Sequence, residues 1–205
     1  MGEAVNKENM AKIEELEARR EKFMQGGGPE RIERQMHAKG KLSIRERIDL
    51  LFDKGTFVEQ YLFAQSKCKD LGMDMAFTPA DGMVTGCGKI NGRLTYCYGH
   101  DFTVMGGTIG RTNSLKAAYI QMEAARMGAP IVALVDTGGA RFQEGNMTQA
   151  ISQMMTSIVN SGYIPQVSAI MGNCAGGGAY IPAMTEFIVS VDKTSRMYIC
   201  GPEPI

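Results

Sequence analysis

The chain reads IVALVDTGGA over residues 131–140 and QVSAIMGNCAGGGAY over residues 166–180, and these two stretches decide the fold. Each opens on an apolar run of strand length and ends in a cluster of small residues. Such a run, bounded by glycine and too short for a helix, reads as a strand covered on both faces. Helical pattern resumes after each cluster, over residues 147–161 in the first case and beyond Gly178 in the second. Strand, glycine turn and helix, given twice, describe parallel strands joined by crossovers, and hence an α/β fold.

The surroundings extend that pattern. Upstream, residues 114–127 are helical and are closed by Gly128, Ala129 and Pro130. Before them, strands over residues 83–90 and 93–98 flank Asn91 and Gly92, a dipeptide suited to a two-residue hairpin turn, which adds an antiparallel element. A shorter strand is expected over residues 57–61, a loop over residues 68–80, and two short strands at residues 187–191 and 197–200. The layout is a series of strand, strand, helix turns stacked into a spiral. Residues 1–55 form a helical segment: one solvated helix over residues 7–25, one from Pro29 to near Gly40, and a third opened by Ser43 and Glu46. That last pair is a capping box, in which each side chain satisfies a free amide at the helix start. Two units follow, the helical segment 1–55 and an α/β lobe 56–205.

Composition narrows the function. The 205 residues carry 22 basic and 22 acidic side chains and are 44% hydrophobic, a balance that excludes disorder and gives no general footprint for nucleic acid. An anionic ligand must be met by a local cluster. The five cysteines show no C-x-x-C spacing and the only histidines are His37 and His100, which excludes a zinc ribbon or finger, and no metal ligand set is expected. No apolar run reaches the ~18 residues of a membrane span and no signal-peptide core opens the chain, so reduced thiols and a cytoplasmic location are expected.

Two glycine turns at strand ends direct backbone N–H groups, helped by the following helix, at one place. The turns bind an anion or a developing oxyanion, or they serve only to let helices pack closely. A phosphate loop, a dinucleotide fingerprint and a G-x-S-x-G elbow are all absent. Cys174 reads as a buried structural thiol, His100 beside Asp101 as a hydrogen-bonded structural residue, and His37 as solvated. With no acid, base or nucleophile in evidence, either the chain is no enzyme or the reacting partner brings its own base. Arg31, Arg34, Lys39, Lys41, Arg45 and Arg47 form the one dense basic stretch, which is a solvated helical face or a contact for ligand phosphates.

Five motifs carry a resemblance: KGKLSIRERIDLLFDKGTFVE (residues 39–59), DGMVTGCGKINGR (81–93), HDFTVMGGTIG (100–110), DTGGARFQEG (136–145) and GNCAGGGAYIPAM (172–184). In this order they resemble the carboxyltransferase (beta) subunit of biotin-dependent acyl-CoA carboxylases, of the propionyl-CoA carboxylase and methylmalonyl-CoA carboxyltransferase type. The resemblance implies a crotonase-like spiral fold, a coenzyme A thioester substrate, and biotin, delivered as carboxybiotin on a carrier protein. It implies that the biotin ureido nitrogen takes the α proton while protein amides hold the thioester enolate. The matching amides are those of Gly139 and Ala140 in one turn and Gly177 and Gly178 in the other, and Lys39, Lys41 and Arg45 are candidates for the coenzyme A phosphates. Implied partners are the biotin carboxyl carrier protein, a biotin carboxylase or a decarboxylase membrane subunit, and further copies of the full-length subunit. Family members continue past a segment like GPEPI (residues 201–205) into a second lobe that holds biotin, so these residues correspond to the N-terminal lobe, and carboxyl transfer by them alone is not expected. One departure stands in TIGRTNSLK (residues 108–116), where the family pattern's His is replaced by Asn113 or a neighbour, depending on alignment. Two further readings remain: a crotonase-type hydratase or isomerase, for which Glu144 or Glu123 would supply the carboxylate, and a non-catalytic assembly module.

Overall fold

The structure is a computed structural model and describes residues 2–145 and 151–200. Three helices come first: α1 (Gly2–Met24), α2 (Pro29–Gln35) and α3 (Ile44–Leu51). A short strand β1 (Val58–Gln60) leads to the hairpin β2 (Met83–Ile90) and β3 (Arg93–His100). The rest alternates: α4 (Arg111–Arg126), β4 (Ile131–Thr137), α5 (Ile151–Asn160), β5 (Gln166–Ala175), α6 (Gly177–Ala183), then β6 (Phe187–Ser190) and β7 (Arg196–Tyr198). The sheet order is β1-β2-β3-β4-β5-β6; β1, β2 and β3 are antiparallel, and β3, β4, β5 and β6 run parallel. Strand β5 pairs with β6 along its first half and with β7 along its last residues, which turns the chain into the expected spiral.

Period-two alternation explains the layers. Met83, Tyr96, Tyr98, Ala133, Val135 and Ile170 face α4, where Ala117, Ile120 and Ala124 pack. Their neighbours Val84, Cys97 and Leu134 face the other way, onto Ile44, Ile48 and Phe52 of α3 and its end. With both faces covered, residues 131–135 have no polar side, which is why that run is apolar throughout. The third helix therefore shares its core with the sheet. It comes close enough that a Cβ added at Gly99 would lie 2.2 Å from Ile44 Cδ1, so a side chain there would require Ile44 to shift. Helix α1 is exposed along most of its length and anchored near its end, where Phe23 is buried edge-on against Phe63 and Phe77.

The differences from expectation have physical causes. Residues 68–80 include tight helical turns at Asp70–Met75, and a further one covers Pro79–Gly82. In them Leu71, Ala80 and Asp81 take left-handed conformations with φ near 50°. Helix α4 starts at Arg111, three residues early, because Asn113 Oδ1 accepts from the Gly110 amide at 2.9 Å and caps the end. Strand β3 runs on to His100, which pairs with Met83. The expected helix over residues 147–161 is present as α5; residues 147–150 and the GPEPI segment lie outside the described residues. Among the described residues no helix is long and apolar enough to cross a membrane.

Candidate functional site

Parallel β4 and β5 end side by side, Thr137 in register with Cys174, and each strand end delivers one glycine turn. The turns touch. A Cβ added at Gly139, where φ is +96°, would stand 2.6 Å from the carbonyl oxygen of Ala175, and one added at Gly178 would stand 2.3 Å from Thr137 Cγ2. Glycine at the first place lets backbone meet backbone, and at the second it leaves room for the Thr137 methyl. Gly177 and Gly178 are the first residues of α6, so their amides have no carbonyl of their own helix to bond.

A third segment completes the arrangement. Residues 106–109 lie along the first turn: Gly138 N donates to Gly106 O (3.0 Å), Thr137 Oγ1 to Gly107 O (2.7 Å) and Ile109 N to Gly139 O (2.7 Å). The Gly139 amide donates to Thr137 Oγ1 at 3.1 Å. Of the two amides expected from this turn, that of Gly139 is thus engaged within the turn. A trans peptide directs its N–H opposite to its carbonyl, so the bond that Gly139 O accepts from Ile109 aims the Ala140 N–H away from Ile109.

Buried charge surrounds the first turn. Asp136, fully buried at the end of β4, accepts from Lys41 Nζ at 2.8 and 3.0 Å and from Arg47 Nη2 at 3.0 Å. Its carboxylate rests on Gly172, where an added Cβ would be 2.0 Å from Oδ1. Arg45 pairs with Glu59 through contacts at 2.8 and 3.2 Å. Two of the three cations expected at coenzyme phosphates are therefore held in ion pairs, and Lys39 is exposed. On the other side of the turn Arg141, also fully buried, pairs with Asp81 and Glu144. Burial pushes the Asp81 carboxyl above its ordinary range, and the Arg141 guanidinium pulls against that shift.

The remaining candidates take structural places. Burial pushes the Cys174 thiol up to about 12, so it offers no thiolate. His100 is buried and neutral, its pKa lowered to about 4 by burial, while the Asp101 carboxylate accepts from the amide and hydroxyl of Thr103. His37 is not simply solvated: it bonds Glu33 at 3.1 Å and Glu46 at 3.0 Å and ties α2 to α3. Asn113, in the segment that departs from the family's His pattern, bonds Asp81 O, Thr108 O and the Gly110 amide. Glu144 accepts from Ser66 Oγ, Arg141 Nη1 and the Arg111 amide, and Glu123 pairs with Arg126 on exposed α4 surface. Neither acid stands over the glycine turns as a free carboxylate. Asp81, Asp136 and Arg141 were missed as site residues, although all three fall inside the quoted motifs; the signal was charge set within otherwise apolar or glycine-rich sequence.

The chain matches the carboxyl transferase domain family over residues 35–205. It is 46% identical over 198 residues to the methylmalonyl-CoA decarboxylase subunit alpha of Propionigenium modestum and 47% identical over 195 residues to the propionyl-CoA carboxylase beta chain of Cereibacter sphaeroides. These alignments cover 95% and 94% of this chain and 38% of each relative. Among solved structures, transcarboxylase 12S, a hexamer with methylmalonyl-coenzyme A and methylmalonic acid bound, superposes with a TM-score of 0.92 at 40% identity, over 96% of this chain and 38% of that one. The chain thus spans about two fifths of the length of the relatives it matches. The likeness of the whole spiral assigns it the crotonase-like fold.

Proposed function

We propose, because the chain belongs to the carboxyl transferase domain family, that it is the acyl-CoA-binding lobe of a biotin-dependent carboxyltransferase. The observation that supports this reading is the contact between the two glycine turns, and we assign the amides of Ala140, Gly177 and Gly178 to one oxyanion there. Donors fixed before the reaction are suited to the oxygen of a thioester enolate, whose charge grows as the α proton leaves. Each such donor contributes on the order of 3 kcal/mol in comparable sites. Ala140 replaces Gly139 as the donor from the first turn, since the Gly139 amide is engaged with Thr137.

Biotin, brought by a carrier partner, supplies the carboxyl acceptor or donor and the base, which accords with a site whose acids and histidines are all held elsewhere. This chain's residues orient the thioester and hold the enolate oxygen. Lys39 is the exposed one of the three candidates Lys39, Lys41 and Arg45 and is assigned to the coenzyme A phosphates. Similarity to a methylmalonyl-CoA decarboxylase and to propionyl-CoA carboxylases is nearly equal, and transfer in either direction passes through the same enolate, so the substrate class is a short acyl-CoA such as propionyl-CoA or methylmalonyl-CoA. The hydratase reading is disfavoured by the ion-paired states of Glu144 and Glu123.

The test is decarboxylation of methylmalonyl-CoA with free biotin, run with the 205-residue chain and with the same chain joined to the second lobe of a relative. Binding of methylmalonyl-CoA by both, with turnover only in the joined form, is expected. Failure of the chain to bind the thioester, or hydration of an enoyl-CoA by it, would overturn the reading.

A further inference from the structure

We infer that Arg141 is a positioning residue for the carboxyl-transfer reaction, its buried guanidinium holding the Gly139–Ala140 peptide at the angle from which the Ala140 amide meets the enolate oxygen. The inference rests on the oxyanion reading just given and deepens it.

The plane of the Gly139–Ala140 peptide is set by Ile109 N, which donates to Gly139 O at 2.7 Å, and Arg141 N closes the bridge on Ile109 O at 2.9 Å. The direction of the Ala140 N–H therefore depends on where residues 108 and 109 stand. Arg141 fixes them from below: Nε donates to Thr108 Oγ1 at 3.2 Å and Nη2 to Thr108 O at 3.0 Å. Nη1 donates to Asp81 Oδ1 at 2.5 Å and to Glu144 Oε1 at 3.0 Å, so the planar fork is gripped on both sides. The residue next to the donor thus braces the strand that orients the donor.

The anchor is itself over-determined. Ala80 and Asp81 are consecutive non-glycine residues in left-handed backbone, at φ 51° and 50°. That strained turn is held by Lys116 Nζ, which donates to Ala80 O and Met83 O at 2.7 and 2.6 Å, and by Asn113, which donates from its amide to Asp81 Oδ2 and from Nδ2 to Asp81 O. Strain maintained by surrounding contacts is characteristic of a preorganised site.

The experiment measures, by calorimetry on the 205-residue chain, affinity for S-propyl-CoA, which has no thioester oxygen, and for an S-nitroalkyl-CoA in its nitronate form, which places anionic oxygen where the enolate oxygen forms. Wild type is expected to favour the nitronate. Arg141→Lys keeps the charge and loses the fork. It is expected to bind S-propyl-CoA as wild type does while its preference for the nitronate falls by about 100-fold, the scale of a donor displaced by about 1 Å. Should Arg141→Lys not fold, Glu144→Gln loosens the less buried side of the grip, and a preference reduced by about tenfold is expected of it. A folded variant that keeps the wild-type preference overturns the positioning role and leaves the oxyanion reading standing. A wild type with no preference overturns the oxyanion reading, and this inference with it.

Discussion

Replacing Gly139 by alanine tests the meeting of the two turns most directly. At φ +96° an L side chain is strained whatever the space, a cost of about 1–3 kcal/mol. The new Cβ would also begin 2.6 Å from Ala175 O and must move about 0.8 Å to reach ordinary contact near 3.4 Å. Its obstacle is backbone at the end of β5, which has no rotamer to change, so overpacking adds about 1–3 kcal/mol. Gly139→Ala should therefore lose about 2–6 kcal/mol, seen as a lower urea midpoint at unchanged slope. Gly138→Ala is the paired control, because its Cβ would sit 3.5 Å from Thr108 Cγ2 in ordinary contact, and it should stay within about 1 kcal/mol of wild type. The same 0.8 Å parts Ala140 from Gly177 and Gly178, so turnover in the joined two-lobe form should fall by roughly 100-fold. Equal midpoints for the two variants would refute the claim that the turns touch at Gly139.

Asp136→Asn leaves Lys41 and Arg47 mostly buried without their shared counter-charge and should cost about 3–5 kcal/mol in urea unfolding. His37 has its pKa raised by Glu46 and then Glu33, so its contribution is full below the ordinary value of 6.5 and is lost as pH rises through the folded value above it. The margin of wild type over His37→Gln in melting temperature should accordingly be full below pH 6.5 and shrink as pH rises above it. Glu46, lowered to about 2 chiefly by its bond to His37 and then by Ser43, contributes above 4.5 and loses that contribution as pH falls toward 2, so Glu46→Gln should lie closest to wild type at the acid end. Lys39→Gln should weaken coenzyme A binding by about 1.5- to 5-fold and flatten its salt dependence, read by titration at two ionic strengths.

The sequence was most informative where local chemistry agreed with tertiary need. Asn91 and Gly92 mark the hairpin turn, and β2 spans the expected residues, because the two-residue turn itself sets the register of the strands. The glycine turns were legible for a similar reason: clustered glycine directly after an apolar run has few other uses. The turn at Pro79–Gly82 was not, since Ala80 and Asp81 adopt a conformation they do not prefer and are kept there by Lys116 and Asn113, more than 30 positions away. The ion-pair partners of the basic stretch were illegible for the same cause. Lys41 and Arg45 look like free cations until the fold brings Asp136 and Glu59 to them, and no pattern in the stretch announces those partners.

The ion pairs on Asp136 also have a temporal side. They close loops of 95 residues to Lys41 and 89 to Arg47, so they form only after β4 has been made and has joined the sheet. On the ribosome the three helices emerge before β4, and they are short or polar enough to gain little alone. Their charged side chains remain hydrated until the strand arrives, after which α3 is fastened to the underside of the sheet and Asp136 loses its contact with water. Helix α3 is thus made well before the strand that fastens it, and its attachment reports that the strand bearing the first glycine turn is in place.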